Sequence, residues 1–363
     1  MKSFLVTPNE AGQRLDKLLS KYMDTAPKSF FYKMLRKKNI TLNGKKAEGS
    51  EKVAEGDEIR LFLSDETIEG FQSGKKNKGD STRVESSGTQ KQIPALNPQE
   101  IVFEGKHLLV VNKPAGELSQ KAAKDDISIN ERIVEYLKVT QKIGLDNFTP
   151  GVCNRLDRNT TGLILAGKSL AGLQETAELL KQRTLHKYYL CIVAGKADKP
   201  RHLSGYLKKE ESTNTVKVVS AEEFKKQNLN REEYDRIETE LIPLLTTGGS
   251  TLAAIQLITG KTHQIRAHLA SIGLPLLGDS KYGTERGINI SRALHLKYQL
   301  LHAYLLQFPK LTGALCEVSE KIITVEPPAK FARAAEELFG KEEYRHAIME
   351  FQRSSRFRTG GID

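Results

Sequence analysis

Residues 154–169 read Asn154-Arg155-Leu156-Asp157-Arg158-Asn159-Thr160-Thr161-Gly162-Leu163-Ile164-Leu165-Ala166-Gly167-Lys168-Ser169. The second half, Gly162 to Ser169, satisfies the formula G-x-x-x-x-G-K-[ST] of a P-loop. That cradle needs a buried strand first, then a loop whose backbone N–H groups turn inward on phosphate. Here the order is reversed. Leu163, Ile164, Leu165 and Ala166 form the apolar strand, and the polar run Asn154 to Thr161 precedes it as a loop. Downstream, only the weak LPLLGD run ending at Asp279 offers an apolar strand leading to a magnesium-binding acid. A second GK[ST], Gly260 to Thr262, has Ile255 where the first glycine belongs. Nucleotide hydrolysis is disfavoured, and the stretch reads as loop then strand. Ser169 can cap a following helix with Leu170, Leu173, Ala177 and Leu180 inward.

The same pattern continues on either side. Ile101 to Phe103 and Leu108 to Val111 read as short strands, the second ending in Lys113-Pro114-Ala115-Gly116. Ser128 and Glu131 have capping-box spacing and open a helix through Leu137. Lys187 to Val193 and Thr251 to Ile258 are strand-like, while Thr262 to Ile272 is helical and stopped by Gly273. Strands and helices alternate without a regular βαβ period. The expected class is α+β: a catalytic domain with a mixed, largely antiparallel sheet flanked by helices.

Upstream, Gln72 to Ile93 reads QSGKKNKGDSTRVESSGTQKQI, with only Val84 and Ile93 apolar. Such a stretch buries too little surface to offset its chain entropy, so it reads as a flexible linker. The expected division is a small module over 1–71, a linker over 72–96, a catalytic body over 97–328, and a helix with a basic tail over 329–363. In the module, Leu15, Leu18, Leu19 and Tyr22 mark one amphipathic helix. Ser29 is placed to cap a second, with Phe30, Phe31, Met34 and Leu35 on its apolar side. Ile40 and Leu42 then run into Asn43-Gly44, a type I′ hairpin signal, and Gly56-Asp57 turns into a strand from Glu58 to Leu63. Seven cations (Lys28, Lys33, Arg36, Lys37, Lys38, Lys45, Lys46) lie between residues 28 and 46 without one acid. A solvated face accounts for such a run, but two elements free of acids favour a phosphate-binding face.

Composition narrows the setting. Among 363 residues, 56 Lys and Arg face 45 Asp and Glu, a net charge of +11, which favours a polyanionic partner, usually nucleic acid. Cys153, Cys191 and Cys316 form no even framework and no C-x-x-C pair, which excludes a disulfide scaffold and disfavours a thiolate metal site. The opening residues lack the apolar stretch of a secretory signal, and no run approaches ~18 apolar residues. A cytoplasmic protein with no membrane partner is expected.

Two stretches carry candidate chemistry. In the first, Arg155 and Asp157 are two apart and share a face if the chain is extended. A loop bracing its own backbone explains these residues as well as a functional role does. In the second, Thr259-Gly260-Lys261-Thr262-His263-Gln264-Ile265-Arg266-Ala267-His268, His263 and Arg266 share a helical face. His263 and His268 are five apart rather than four, so a shared zinc ion is disfavoured and no metal is expected. A capped helix with solvated ends competes here with a helix N-terminus, fronted by Lys261, that attracts phosphate.

Together these stretches resemble the RluA-type RNA pseudouridine synthases. NRLDRNTTGLIL is similar to that family's H-R-L-D-x-x-T-S-G-L-L-L loop. LITGKTHQIRAHLASIGLPLLGDSKYG is similar to its L-x-T-G-R-x-H-Q-I-R-x-H and G-x-P-x-x-G-D-x-x-Y-G signature. VVNKPAG, HKYYLCIVAG and LHAYLLQF resemble further blocks in order, so the likeness runs from about Ile101 to Phe308. The first 71 residues resemble the small RNA-binding domain shared with a ribosomal protein.

The resemblance implies uridine isomerisation on large-subunit ribosomal RNA; the base is redeployed, so no cofactor is expected, and the protein is expected to be a monomer. It implies that Asp157 is the essential carboxylate, acting on C1′ or triggering elimination. Arg155 would enter the RNA stack or hold the extruded nucleotide. Tyr188 would pack on the base and help proton transfer, and Arg266 would pair with Asp157. Ile265 would line the uracil slot, with Asn154, Lys261, His263 and Gln264 also contacting substrate. An arginine beside the acid would offset the cost of enclosing it. Asn154, Lys261 and Thr161 replace the family's His, Arg and Ser, Ser119-Gln120 replaces V-H-P, and Phe30 stands where a basic residue often lies. Altered contacts rather than lost chemistry are expected. The competing readings are a catalytically inactive RNA-binding assembly factor, a synthase acting on transfer RNA, and a glycosidase or nucleosidase. Glycosidases usually need two carboxylates across the bond.

Overall fold

The computed structural model describes residues 2–7, 10–72, 93–123, 125–141, 148–210, 213 and 215–357, apart from the side chain of residue 355. The expected linker therefore falls mostly outside the described residues, as does the end of the basic tail. Leu96, within the expected linker span, is buried among Leu109, Val111, Ile129 and Ile164.

Among the described residues two sheets form. The smaller orders its strands Lys2–Leu5, Glu58–Leu61, Ile40–Leu42 and Lys45–Lys46, all antiparallel. Asn43 and Gly44 take φ of 52° and 72°, the two left-handed residues that a type I′ hairpin demands. The helices Leu15–Tyr22 and Lys28–Arg36 bury Leu15, Leu18, Leu19, Phe31 and Leu35 against this sheet. Ser29 is not the cap. Pro27, with φ −68° and extended ψ, precedes the helix directly, so Ser29 sits inside the first turn. The strand Lys2–Leu5 escapes the sequence pattern because its partner lies more than fifty residues away.

The larger sheet runs Thr215–Ser220, Arg201–Glu210, Asp235–Thr246, Ser250–Leu257, His186–Ala194, Leu301–Gln307, Thr161–Gly167, Leu108–Lys113 and Ile101–Glu104, with two short strands off this path. Pairing is antiparallel except where Leu301–Gln307 meets Thr161–Gly167. At that parallel seam Gly162 has φ 106°, and a Cβ there would stand 2.2 Å from the Ala303 carbonyl oxygen. No other residue fits so close a backbone approach. A mixed, largely antiparallel sheet with flanking helices is thus what the chain forms.

The central strand His186–Ala194 is buried on both faces. Tyr188, Leu190 and Ile192 point into one core, closed by the C-terminal helices Ala329–Phe339 and Lys341–Arg353 through Phe331, Tyr344 and Phe351. Tyr189, Cys191 and Val193 point into the other, beneath Ile265 and Leu269 of the helix Gln264–Ser271. That helix starts two residues later than its sequence pattern suggests, because His263 adopts a left-handed φ of 54°. Ser169 caps Leu170–Gln182 by accepting the Gly172 N–H; Ala177 there is exposed, and Gly172 and Thr176 are the buried positions. No helix among the described residues is long and apolar enough to cross a membrane.

Candidate active site

The loop before Thr161–Gly167 is clamped from below by residues 113–119. Ser119 Oγ accepts the Leu156 N–H at 2.9 Å and donates to the Leu156 carbonyl at 2.8 Å. Two residues on, the Arg158 carbonyl accepts from Gly116 N–H at 3.0 Å and from Lys113 Nζ at 2.9 Å. Lys113 is fully buried, and its ammonium also donates to the Pro114 and Glu117 carbonyls. Burial pushes that amine down to about 8. Asp157 lies between the two clamps, so its carboxylate is carried on backbone fixed at both neighbours. Ser119, a departure from the family pattern, is one of the two clamps.

Asp157 opens into a groove of about 1380 Å³. Among the described residues its lining holds eleven Lys or Arg side chains and a single carboxylate, so the groove is strongly cationic. Asp157 Oδ2 receives Arg266 Nη1 at 3.1 Å. The rest of that guanidinium is occupied by Asp279, with Nε to Oδ2 at 2.7 Å and Nη2 to Oδ1 at 2.8 Å. Burial works to raise the Asp279 carboxyl, but Arg266 and the Lys281 and Tyr282 N–H groups outweigh it and hold it below the usual carboxylate range. The planar fork has a fixed geometry, so two bonds to Asp279 aim the remaining nitrogen at Asp157. The Tyr282 ring covers the guanidinium 5.2 Å from its Cζ.

His263 Nε2 stands 3.9 Å from Asp157 Oδ2, and its Nδ1 is 3.0 Å from the Tyr282 hydroxyl. Burial, aided by Arg266 and Lys281, lowers the His263 pKa despite Asp157, so the ring is neutral at pH 7. The Tyr282 oxygen already accepts the Val216 N–H at 2.8 Å. Donation of the Tyr282 proton to His263 Nδ1 is the arrangement that satisfies the hydroxyl, and it would leave the ring N–H on Nε2, facing the acid.

The structure brings Asp157, Arg266, His263, Asn154, Arg155 and Lys261 to one groove. Arg155 is exposed there, with no hydrogen bond or ion pair among the described residues. Asn154 Oδ1 accepts the Leu165 N–H at 2.7 Å, and Lys261 Nζ is paired with Asp235 at 2.6 Å. Three assignments need correction. Tyr188 is on the far face of the sheet, edge-on to Phe351 and Phe357 at 5.9 and 5.1 Å between centroids. The tyrosine facing the groove is its neighbour Tyr189, whose hydroxyl burial and the Asp157 charge make less acidic. Ile265 is packed in the core with Leu156 and Leu269 and does not line the groove. Gln264 is buried too, its amide spent on Glu238, Thr239, Thr259 and Lys261.

Residue-by-residue reading also left Asp279, Tyr282, Lys113 and Ser119 without roles. The first three stood within the quoted blocks GDSKYG and VVNKPAG; Ser119 had only its departure from the pattern to mark it. In the first 72 residues all seven cations between Lys28 and Lys46 are exposed, and none is in an ion pair among the described residues. Phe30 packs at a tilt against Phe71, 4.7 Å between ring centroids, so that position braces the core.

The site is thus a clamped carboxylate aimed by an arginine and set in a cationic groove. Residues 107–271 match the family described as RNA pseudouridylate synthase. An uncharacterized RNA pseudouridine synthase of Mycoplasma genitalium is 30% identical over 85% of this chain and 89% of its own. The chain belongs to the RNA pseudouridine synthases, of the RluA type, and is an isomerase acting on RNA. The ribosomal large subunit pseudouridine synthase C of Rickettsia bellii is 30% identical over 82% of this chain and 91% of its own. That of Escherichia coli K12 is 28% identical over 85% and 88%. The human RNA pseudouridylate synthase domain containing 4 shares the fold, with a TM-score of 0.52 and 24% identity over 66% of this chain and 92% of that one.

Proposed function

We propose that the protein converts uridine to pseudouridine in large-subunit ribosomal RNA, with Asp157 as the reacting carboxylate. The observation carrying this reading is the Arg266 Nη1 to Asp157 Oδ2 contact of 3.1 Å at the floor of the groove. The names and long overlap of the Rickettsia and Escherichia relatives support ribosomal RNA over transfer RNA.

In the reaction the N1–C1′ bond breaks, the uracil turns, and C5 joins C1′. The C5 proton leaves and N1 gains one, so atoms balance without a redox partner. Asp157 acts at C1′ or starts the elimination. Tyr189, not Tyr188, meets the base; a stacking platform recovers roughly 1–3 kcal/mol of the extrusion cost. Arg155, exposed at the groove, enters the stack or holds the extruded nucleotide. Lys261 would exchange Asp235 for RNA. The seven exposed cations between Lys28 and Lys46 hold flanking RNA, in a separate module ending near residue 71. The catalytic body then starts before residue 97, since Leu96 is in its core. Three unpaired cysteines suit a cytoplasmic setting. A glycosidase is less well supported, because the second nearby acid, Asp279, is enclosed and spent on Arg266.

Pseudouridine mapping across total RNA, from cells with and without the gene, tests this. The reading expects discrete sites in large-subunit RNA to vanish. Sites lost only from transfer RNA would redirect it.

A further inference from the structure

Three lysine amines are pulled well into the body, and two of them have their oxygens. Lys113 Nζ donates to three backbone carbonyls. Lys168 Nζ donates to Glu104 Oε1 and to the Gly105 carbonyl, both at 2.8 Å. Lys187 is the exception. It is partly buried on the strand His186–Ala194, lines the groove, and has no hydrogen bond or ion pair among the described residues. Among the described residues no carboxylate acts on it. Burial, with Arg183 adding to it, brings its amine down to about 8. Its Nζ lies 3.6 Å from where a Cβ on Gly260 would stand, so a bare stretch of backbone faces it. Withdrawing an ammonium even partly from water without a counter-charge is costly, and an arriving anion offsets that cost.

Lys187 and Tyr189 alternate to the same face of the strand, about 7 Å apart along it. That is the reach from a base to its own backbone. We propose that Lys187 Nζ binds a phosphate oxygen of the RNA strand beside the uridine held at Asp157. This rests on the functional reading above only for the position of that uridine. Phosphate is favoured over a base carbonyl because the ammonium lacks charge neutralisation, and because Lys181 and Arg183 line the same groove.

Amine footprinting of the full-length protein tests it. At pH 8 an ordinary lysine is almost wholly protonated, whereas about half of Lys187 should carry the free amine that an acetylating reagent attacks. The probe is total RNA from cells lacking the gene, which contains the unmodified target whatever its class. Saturating RNA should slow acetylation of Lys187 about tenfold or more. Unchanged labelling would overturn the proposal. In turnover, Lys187→Met should raise KM about tenfold with kcat within about threefold, and Lys187→Arg should recover most of it. An unchanged KM in a folded Lys187→Met protein would also overturn it. The footprint should persist in Asp157→Asn. If that variant still turns over substrate while Lys187 is protected, the role of the acid fails and the phosphate site stands.

Discussion

Arg266 Nη1 lies 3.1 Å from Asp157 Oδ2, across 109 residues of sequence, while the other edge of the guanidinium is locked to Asp279. The acid on the loop is therefore aimed by a second acid that never meets solvent, since the Asp279 side chain is fully enclosed. Two acids share one arginine, and only one of them faces the groove.

Removing Asp279 should cost more than removing an ordinary surface partner. Asp279→Ala leaves a buried guanidinium half unpaired, a loss of about 3–5 kcal/mol of stability. Because the folded carboxyl is held below its usual range, the stabilisation is present above the unfolded value near 3.8 and is lost as pH falls through the folded one. Urea unfolding at pH 7 and at pH 3 checks both: the gap between Asp279→Ala and the parent should narrow at low pH.

Buried histidines set a second acid limit. His268 and His302 are brought down to about 4, His268 by burial with some help from His202, His302 by burial that outweighs its hydrogen bond to the Val325 carbonyl. The unfolded chain takes up protons below about 6.5 that these rings refuse, so stability falls as pH drops from there toward 4. Each should contribute a loss of about 3 kcal/mol across that window. His302→Gln should flatten part of the slope in urea titrations run between pH 7 and 4.

The proton on His263 can be read directly. Nitrogen-15 spectra should show Nε2 protonated and Nδ1 bare at pH 7. Tyr282→Phe removes the donor to Nδ1, so the signals should move toward a tautomer mixture. A spectrum with Nδ1 protonated in the parent would contradict the Val216–Tyr282–His263 chain.

Adjacent tyrosines separate the two faces of the sheet. Tyr188→Phe should leave turnover within about twofold, since that ring packs on Phe351 and Phe357. Tyr189→Ala should lower turnover about fivefold or more, matching a stacking loss of about 1–3 kcal/mol. Tritium release from RNA labelled at uridine C5 measures both.

The tyrosine pair also marks where sequence reading stops. Strand Thr161–Gly167 was legible because four apolar residues follow a polar loop, and the α+β class followed from strands without a βαβ period. On His186–Ala194 both faces are covered, so burial does not alternate and nothing in KYYL tells which ring faces the acid. The Arg266–Asp157 contact was legible only through family likeness, because pairing across 109 residues leaves no local pattern. His263 was read into a helix because its left-handed turn carries no glycine to announce it. The second C-terminal helix, which covers Tyr188, was hidden because a helical pattern does not say which surface it will close.

The most direct measurement is tritium release by Asp157→Asn. The amide keeps a hydrogen-bonding group near Arg266 but can neither attack C1′ nor serve as a base. The account predicts a folded protein that binds RNA and releases no tritium above background. Turnover by that variant at a clear fraction of the parent rate would contradict it.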